Sequence, residues 1–126
     1  MPPHSIILYG ISNCDTVKKA RAWLNAQGVA HEFFDFKKKG VPAQRLAGWV
    51  EALGWKLLVN TRGTTWRKLD DATRTGLGDA PTAIALMLAY SSVIKRPVIE
   101  WADSSVSVGF DSVEWHERLD LINRKD

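Results

Sequence analysis

Cysteine is almost absent from this chain: one residue of 126, Cys14, carries a thiol. A disulfide within the chain is therefore impossible, and any redox chemistry has to pass through the thiol of a small molecule or of another protein. A single unpaired thiol is typical of the reducing cytoplasm. The cysteine count restricts this chain to the chemistry of one thiol, to a binding role, or to no chemistry at all.

Long hydrophobic runs are missing as well. No apolar stretch approaches the ~20 residues of a membrane span, and residues 1–4 do not begin a basic segment followed by an apolar one. We therefore expect a cytoplasmic protein without membrane contact. The net charge is only +3, and apart from Lys37–Lys39 the basic residues are spread along the chain, so nucleic-acid binding is not expected.

Metal and phosphate motifs are equally absent. The three histidines are His4, His31 and His116, and their spacing is not that of metal ligands. The chain also has no glycine loop of the phosphate-binding type and no acyl-transfer triad. We expect no metal and no bound cofactor. A length of 126 residues, 45% of them apolar and six of them tryptophan, predicts one globular domain over residues 1–126.

The first third of the chain predicts a βαβ unit. Ser5–Tyr9 is a short apolar run rich in β-formers and is followed by Gly10, which indicates a strand. A helix is predicted over Asp15–Gln27, and a second strand over Val29–Phe36. The helix carries apolar residues at helical spacing: Val17, Ala20 and Leu24. Strand, helix and strand in this order favour a parallel pair with a right-handed crossover.

The middle of the chain predicts a helical insertion, at about residues 41–93. Lys37–Gly40 is polar and Lys37–Lys39 is predicted as a solvated turn, after which a helix is predicted from Pro42 to near Gly54. Trp66–Thr75 is predicted as one short helix. A third helix, Asp79–Ser91, begins with a polar cap and a proline.

The last third predicts a ββα unit. Val98–Trp101 and Ser105–Val108 are separated by a connection so short that it requires an antiparallel hairpin. Ser112 is predicted to cap a final helix that reaches Asn123. A βαβ unit and a ββα unit around one four-stranded mixed sheet give an α/β protein with a thioredoxin-like fold and a helical insertion between the halves.

Cys14 follows the first strand and begins the first helix, where the positive end of the helix dipole favours thiolate. It is either a nucleophile, activated by the helix amides and a nearby cation, or a small inert residue. Val17 stands where a Cys-x-x-Cys motif has its second thiol, so the protein cannot resolve its own disulfide. The partner has to be external, and glutathione is favoured because a second glutathione can attack the mixed disulfide.

Cations in predicted loops are candidate partners of this thiol. Arg62 and Arg96 each lie beside a turn-forming residue, and a guanidinium lowers the pKa of a thiol or binds an oxyanion or carboxylate. Lys18, one turn into the first helix, and Lys95 are candidates to assist. The alternative for each is ordinary solvated charge.

Three further residues are candidates to form the groove in which an extended thiol substrate docks. These are Asn13, Pro97 and Val98. Pro97 directly precedes a predicted strand, and X-Pro bonds occur in both cis and trans forms.

Three segments together resemble one family. Residues 9–21 (YGISNCDTVKKAR), 62–69 (RGTTWRKL) and 94–99 (IKRPVI) resemble the ArsC family of arsenate reductases, in particular its YffB-like branch. The resemblance extends over almost the whole chain, and the segments occur in the family's order. It implies a thioredoxin-like fold, a nucleophilic Cys14, anion-binding arginines at Arg62 and Arg96, and a cis bond before Pro97. It also implies a glutathione-dependent thiol reductase.

Two alternatives follow from the same resemblance. One is arsenate reduction coupled to glutathione and glutaredoxin, but arsenate reductases of that type carry a third arginine shortly after the hairpin, and this chain has Val106–Asp111 there. The other is a non-enzymatic regulator of the Spx type that binds RNA polymerase. Many such regulators sense oxidation through Cys-x-x-Cys, and Val17 removes that switch while leaving open a polymerase-binding surface.

Overall fold

A computed structural model describes residues 5–123, so that His4 lies outside the described part of the chain. The described residues form two compact units, one of residues 5–35 with 96–123 and one of Phe36–Lys95. The helices and strands follow one another as β1 (Ile6–Gly10), α1 (Asp15–Ala26), β2 (His31–Asp35), α2 (Phe36–Lys39), α3 (Ala43–Leu53), α4 (Trp55–Leu58), α5 (Thr64–Lys68), α6 (Asp71–Thr75), α7 (Ala80–Ala89), β3 (Val98–Glu100), β4 (Val106–Val108) and α8 (Ser112–Asn123). Within residues 5–123 no helix is both long and apolar enough to cross a membrane.

The first unit is built on a mixed sheet with the strand order β2-β1-β3-β4. β1 runs parallel to β2, antiparallel strands β3 and β4 complete the sheet, and α1 forms the crossover. This confirms the α/β class and the thioredoxin-like arrangement of a βαβ and a ββα unit. The register places Tyr9 opposite Val98, and Val98 opposite Val108.

The core of the first unit explains why α1 forms where it does. Val17, Ala20 and Leu24, the predicted apolar stripe, are completely buried against β1 and β3. Trp101 and Trp115 complete the core with their rings edge to face, 5.1 Å between centroids. An apolar stripe at helical spacing is stable when another element of the core covers it, and here the sheet does so.

The start of α8 differs from the prediction. Ser112 is the first residue of the helix rather than its cap. The Asp111 carboxylate accepts hydrogen bonds from the N–H groups of Val113 and Glu114, at 3.0 and 3.1 Å. Asp111 therefore caps the helix, because its carboxylate reaches two amides of the first turn that have no partner within the helix.

The second unit is helical, as predicted, but its helices are shorter and divided differently. Lys37–Lys39, predicted as a solvated turn, are exposed but helical: together with Phe36 they form α2, and the buried Phe36 ring lies 6.3 Å from that of Trp49. The single helix predicted over Trp66–Thr75 is two helices, α5 and α6. Leu69 and Asp70 separate them: the extended backbone of Leu69 ends α5, and the carboxylate of Asp70 accepts the N–H of Thr73 and caps α6.

The cap predicted at Asp79 is confirmed. The carboxylate of Asp79 accepts the N–H of Thr82 at 3.0 Å, and the hydroxyl of Thr82 accepts the N–H of Asp79 at 3.1 Å. This reciprocal capping box, with Pro81 in the first turn, begins α7. Further along, an isolated antiparallel bridge joins Val59 to Ile94.

Candidate active site

The topology of the first unit brings two distant segments to one end of the sheet. β1 ends at Gly10 and is followed by the loop to Cys14, whereas β3 begins at Val98 directly after Arg96–Pro97. Because β1 and β3 are antiparallel neighbours, the end of one lies beside the start of the other. The site therefore consists of the Cys14 loop on one side and Arg96–Pro97 on the other.

Cys14 occupies the N-cap position of α1. Its backbone is extended, with φ −144° and ψ 120°, and its carbonyl accepts the first helical hydrogen bond, from the N–H of Lys18 at 2.9 Å. The sulfur makes no standard capping hydrogen bond, as expected for a weak acceptor. The amides of the first turn are therefore left to interact with whatever negative charge the sulfur carries.

The electrostatics of the site favour that negative charge. Partial burial of the sulfur is the largest single influence and raises the pKa of the Cys14 thiol. It is outweighed by the N–H of Val17, by the hydrogen bond and positive charge of the Arg96 side chain, and by the N–H of Thr16. The pKa is consequently lowered from its ordinary value, so a larger fraction of the sulfur is thiolate at neutral pH.

The half-buried Arg96 is the predicted cation that acts on the thiol within this unit. Lys18, on the first turn of α1, is exposed and is not among the groups that shift the pKa of Cys14. Its assisting role stays a prediction. A guanidinium has an advantage over an ammonium group here because it is more weakly hydrated and presents several donors in one plane.

The residues predicted to form a groove differ in exposure. Asn13 is exposed, whereas Pro97 and Val98 are buried. The bond between Arg96 and Pro97 is cis, as the family resemblance implies. The Pro97 carbonyl accepts the N–H of Gly109 at 2.9 Å, which ties the residue before β3 to the residue after β4.

Arg62 and Lys95 belong to the second unit. Arg62 is exposed in the turn before α5, where its backbone N–H donates to the side-chain oxygen of Asn60 at 3.0 Å. Lys95 is also exposed, and its N–H donates to the carbonyl of Leu58 at 2.7 Å. The anion-binding roles of both residues stay predictions.

The sequence predicted that helix amides act on the thiol, but it did not predict which residue supplies the amide that lowers the Cys14 pKa most. That residue is Val17, the position at which a Cys-x-x-Cys protein has its second thiol. The capping rule contains the signal, because the N2 and N3 amides are the ones a cap residue faces. Within residues 5–123 no three His, Cys, Asp or Glu side chains come together in a way that could hold a metal ion.

Comparison with known proteins identifies the family. The family model for the ArsC family matches residues 9–118. The chain belongs to the ArsC family. Among curated proteins, this ArsC-family chain is 39% identical over 110 residues to an uncharacterized protein of Haemophilus influenzae, covering 87% of this chain and 95% of the relative.

Solved structures of ArsC-related proteins share the fold. A YffB protein is 44% identical with a TM-score of 0.85, covering 90% of this chain and 97% of the other. An ArsC-related protein of Brucella melitensis is 41% identical with a TM-score of 0.71, covering 92% and 95%. An arsenate reductase of Vibrio cholerae, at 17% identity and a TM-score of 0.71 over 91% and 98% of the two chains, shows the same fold. The resemblance to the YffB-like branch is thereby confirmed.

Proposed function

We propose that this ArsC-family protein is a glutathione-dependent thiol oxidoreductase that uses Cys14 as its single nucleophile. The observation that carries the proposal is the environment of the thiol: first-turn amides of α1 and the Arg96 side chain both act on it, and its pKa is lowered. The thiolate is the reactive form of cysteine in disulfide exchange. A half-buried sulfur also remains accessible enough to be attacked and to attack.

The proposed reaction has two exchange steps. The Cys14 thiolate attacks the glutathione sulfur of a glutathionylated substrate, forming a mixed disulfide and releasing the substrate thiolate, which takes up a proton. The thiolate of a second glutathione then attacks the glutathione sulfur of that mixed disulfide. Oxidised glutathione leaves and the Cys14 thiolate is regenerated. Overall, one disulfide is exchanged for another: the substrate sulfur becomes a thiol, and the sulfur of the one incoming glutathione, which loses its proton, enters the disulfide of oxidised glutathione.

Arg96 has two roles in this proposal. It stabilises the Cys14 thiolate before attack, and once the sulfur is neutral in the mixed disulfide, its charge becomes available to a carboxylate of glutathione. Exposed Asn13 and the backbone around buried Pro97 and Val98 are proposed to form the docking groove. A cytoplasmic location belongs to the same proposal, because reduced glutathione is abundant there.

Arsenate is a weaker candidate substrate. Beyond β4 the chain continues with Gly109, Phe110 and Asp111, none of them cationic, and Asp111 is engaged in capping α8. An oxyanion in the first unit would therefore meet Arg96 without a second guanidinium from this stretch. Incubation with arsenate, glutathione and glutaredoxin is expected to yield no arsenite.

Intact-mass measurement tests the proposal directly. After exposure to oxidised glutathione, the protein is expected to gain the mass of one glutathione, and addition of reduced glutathione is expected to remove it. The Cys14→Ser variant should gain nothing. Turnover is then followed as release of thiol from a glutathionylated peptide in the presence of glutathione. A protein that gains no glutathione at Cys14, or one whose turnover survives Cys14→Ser, would refute the mechanism.

A further inference from the structure

Gly10, the last residue of β1, is in an unusually tight position. A Cβ atom built on it would lie 2.8 Å from Cγ2 of Val17, closer than a real Cβ approaches another heavy atom. Gly10 is not among the residues with positive φ, so its backbone conformation does not require glycine. The requirement is for space: a side chain of α1 lies where the side chain of residue 10 would otherwise stand.

The neighbouring atom cannot move aside easily. Val17 is completely buried in the core of the first unit. A valine in a helix is held in one strongly preferred rotamer, so rotating Cγ2 away is costly. Relief of a contact at residue 10 would therefore have to come from the backbone, by displacement of the first turn of α1 away from the end of β1.

Val17 is also the residue whose backbone N–H is the leading favourable influence on the Cys14 thiolate. Its side chain thus packs α1 against β1, while its backbone N–H stabilises the Cys14 thiolate. The position of Arg96 is also fixed relative to β1, because Arg96 precedes β3 and β3 is paired with β1. The spacing between α1 and β1 consequently sets both the amide and the guanidinium relative to the sulfur.

We propose that Gly10 is a positioning residue of the active site: the missing Cβ lets Val17 pack on the end of β1, which holds the Cys14 sulfur beside its helix amides and Arg96. The inference deepens the proposed function and relies on it for biological meaning. The test measures ionisation of the thiol rather than turnover, so the proposal for Gly10 and the proposed function can fail independently of each other.

The test compares the pH dependence of Cys14 alkylation in four proteins: wild type, Gly10→Ala, Val17→Ala and the double variant. In Gly10→Ala the midpoint is expected to rise toward the ordinary cysteine value of about 8.5. Removing the Val17 methyl groups leaves Cβ as the nearest atom of residue 17, at an ordinary contact distance of 3.8 Å. The double variant should therefore return to the midpoint of Val17→Ala alone.

Gly48→Ala is the matched control, because a Cβ there meets nothing within 4 Å, and its midpoint should equal that of wild type. A Gly10→Ala midpoint equal to wild type would overturn the proposal, as would a raised midpoint that Val17→Ala does not restore. If Gly10→Ala does not fold, the double variant decides: a folded protein with the Val17→Ala midpoint supports the proposal, and an unfolded protein or a higher midpoint overturns it.

Discussion

The Arg96 side chain hydrogen-bonds to the sulfur of Cys14, although the two residues lie far apart along the chain. Antiparallel pairing of β1 with β3 makes the contact possible, because it brings the loop after one strand to the residues before the other. The thiol thus has two independent sources of stabilisation. One is local, from the amides of its own helix, and the other is delivered by the sheet.

Replacing Arg96 by alanine should raise the pKa of Cys14 without returning it fully to the ordinary value. The guanidinium is lost, but the N–H groups of Val17 and Thr16 remain and continue to lower the pKa. The rate of iodoacetamide alkylation at pH 7 is expected to fall, with the midpoint of its pH profile shifted upward. Lys19→Ala, which removes an exposed cation from the same helix, is the charge-matched control and should leave the profile unchanged. An equal shift in both variants would mean that only net charge matters.

The lowered pKa of Cys14 also predicts a pH dependence of stability. The unfolded thiol has a pKa of about 8.5 and the folded one is lower, so the unfolded state binds more protons between the two values. The free energy of unfolding of wild type relative to Cys14→Ser should therefore rise as the pH increases through the folded pKa, and level off above about 8.5. Urea titrations at a series of pH values measure this difference. A difference that stays flat from pH 6 to 9 would contradict the lowered pKa.

The buried pair Trp101 and Ser107 predicts a stability effect away from the site. The indole N–H donates to the serine hydroxyl at 2.9 Å, and both residues are less than 10% exposed. Ser107→Ala leaves that N–H buried without a partner, which should lower the free energy of unfolding by about 1–3 kcal/mol. Urea unfolding of Ser107→Ala, Trp101→Phe and the double variant gives the coupling between them. Strictly additive losses would show that the hydrogen bond contributes nothing.

The N-cap of α8 predicts a loss of stability in one variant, and the neighbouring residue supplies the control variant. Asp111→Ala removes the carboxylate that accepts two first-turn amides and should cost about 0.5–2 kcal/mol of stability. Ser112→Ala, one residue later and exposed, should change the free energy of unfolding by less than about 0.5 kcal/mol. Thermal and urea unfolding of the two variants show whether Asp111 or Ser112 caps the helix. The reverse order of effects would restore Ser112 as the cap.

The parts of the fold that could be predicted are those with a repeating pattern. Val17, Ala20 and Leu24 lie at helical spacing and are all buried, so α1 could be located from sequence. The segment Lys37–Lys39 could not, because α2 is a single turn with no repeat, and its formation depends on burial of Phe36. Helices this short are fixed by tertiary packing rather than by their own residues.

The site could be predicted in part for the same reason. Cys14 stands out because it is the single thiol, and Arg96 because it adjoins a proline before a strand. Gly10 gives no such signal, since a glycine after an apolar run reads simply as the end of a strand. Its significance depends on a 2.8 Å approach that exists only after α1 has packed on β1. Clearance between elements is a property of the folded chain and leaves no pattern in the sequence.

The pairing of β1 with β3 has a consequence for biosynthesis. During translation Cys14 emerges from the ribosome early, whereas Arg96 and β3 emerge only after most of the chain has been made. Until then the thiol lacks its guanidinium partner and the strand that delivers it, so only the helix amides are available to lower its pKa. The order of synthesis therefore delays the full lowering of the Cys14 pKa until β3 has paired with β1.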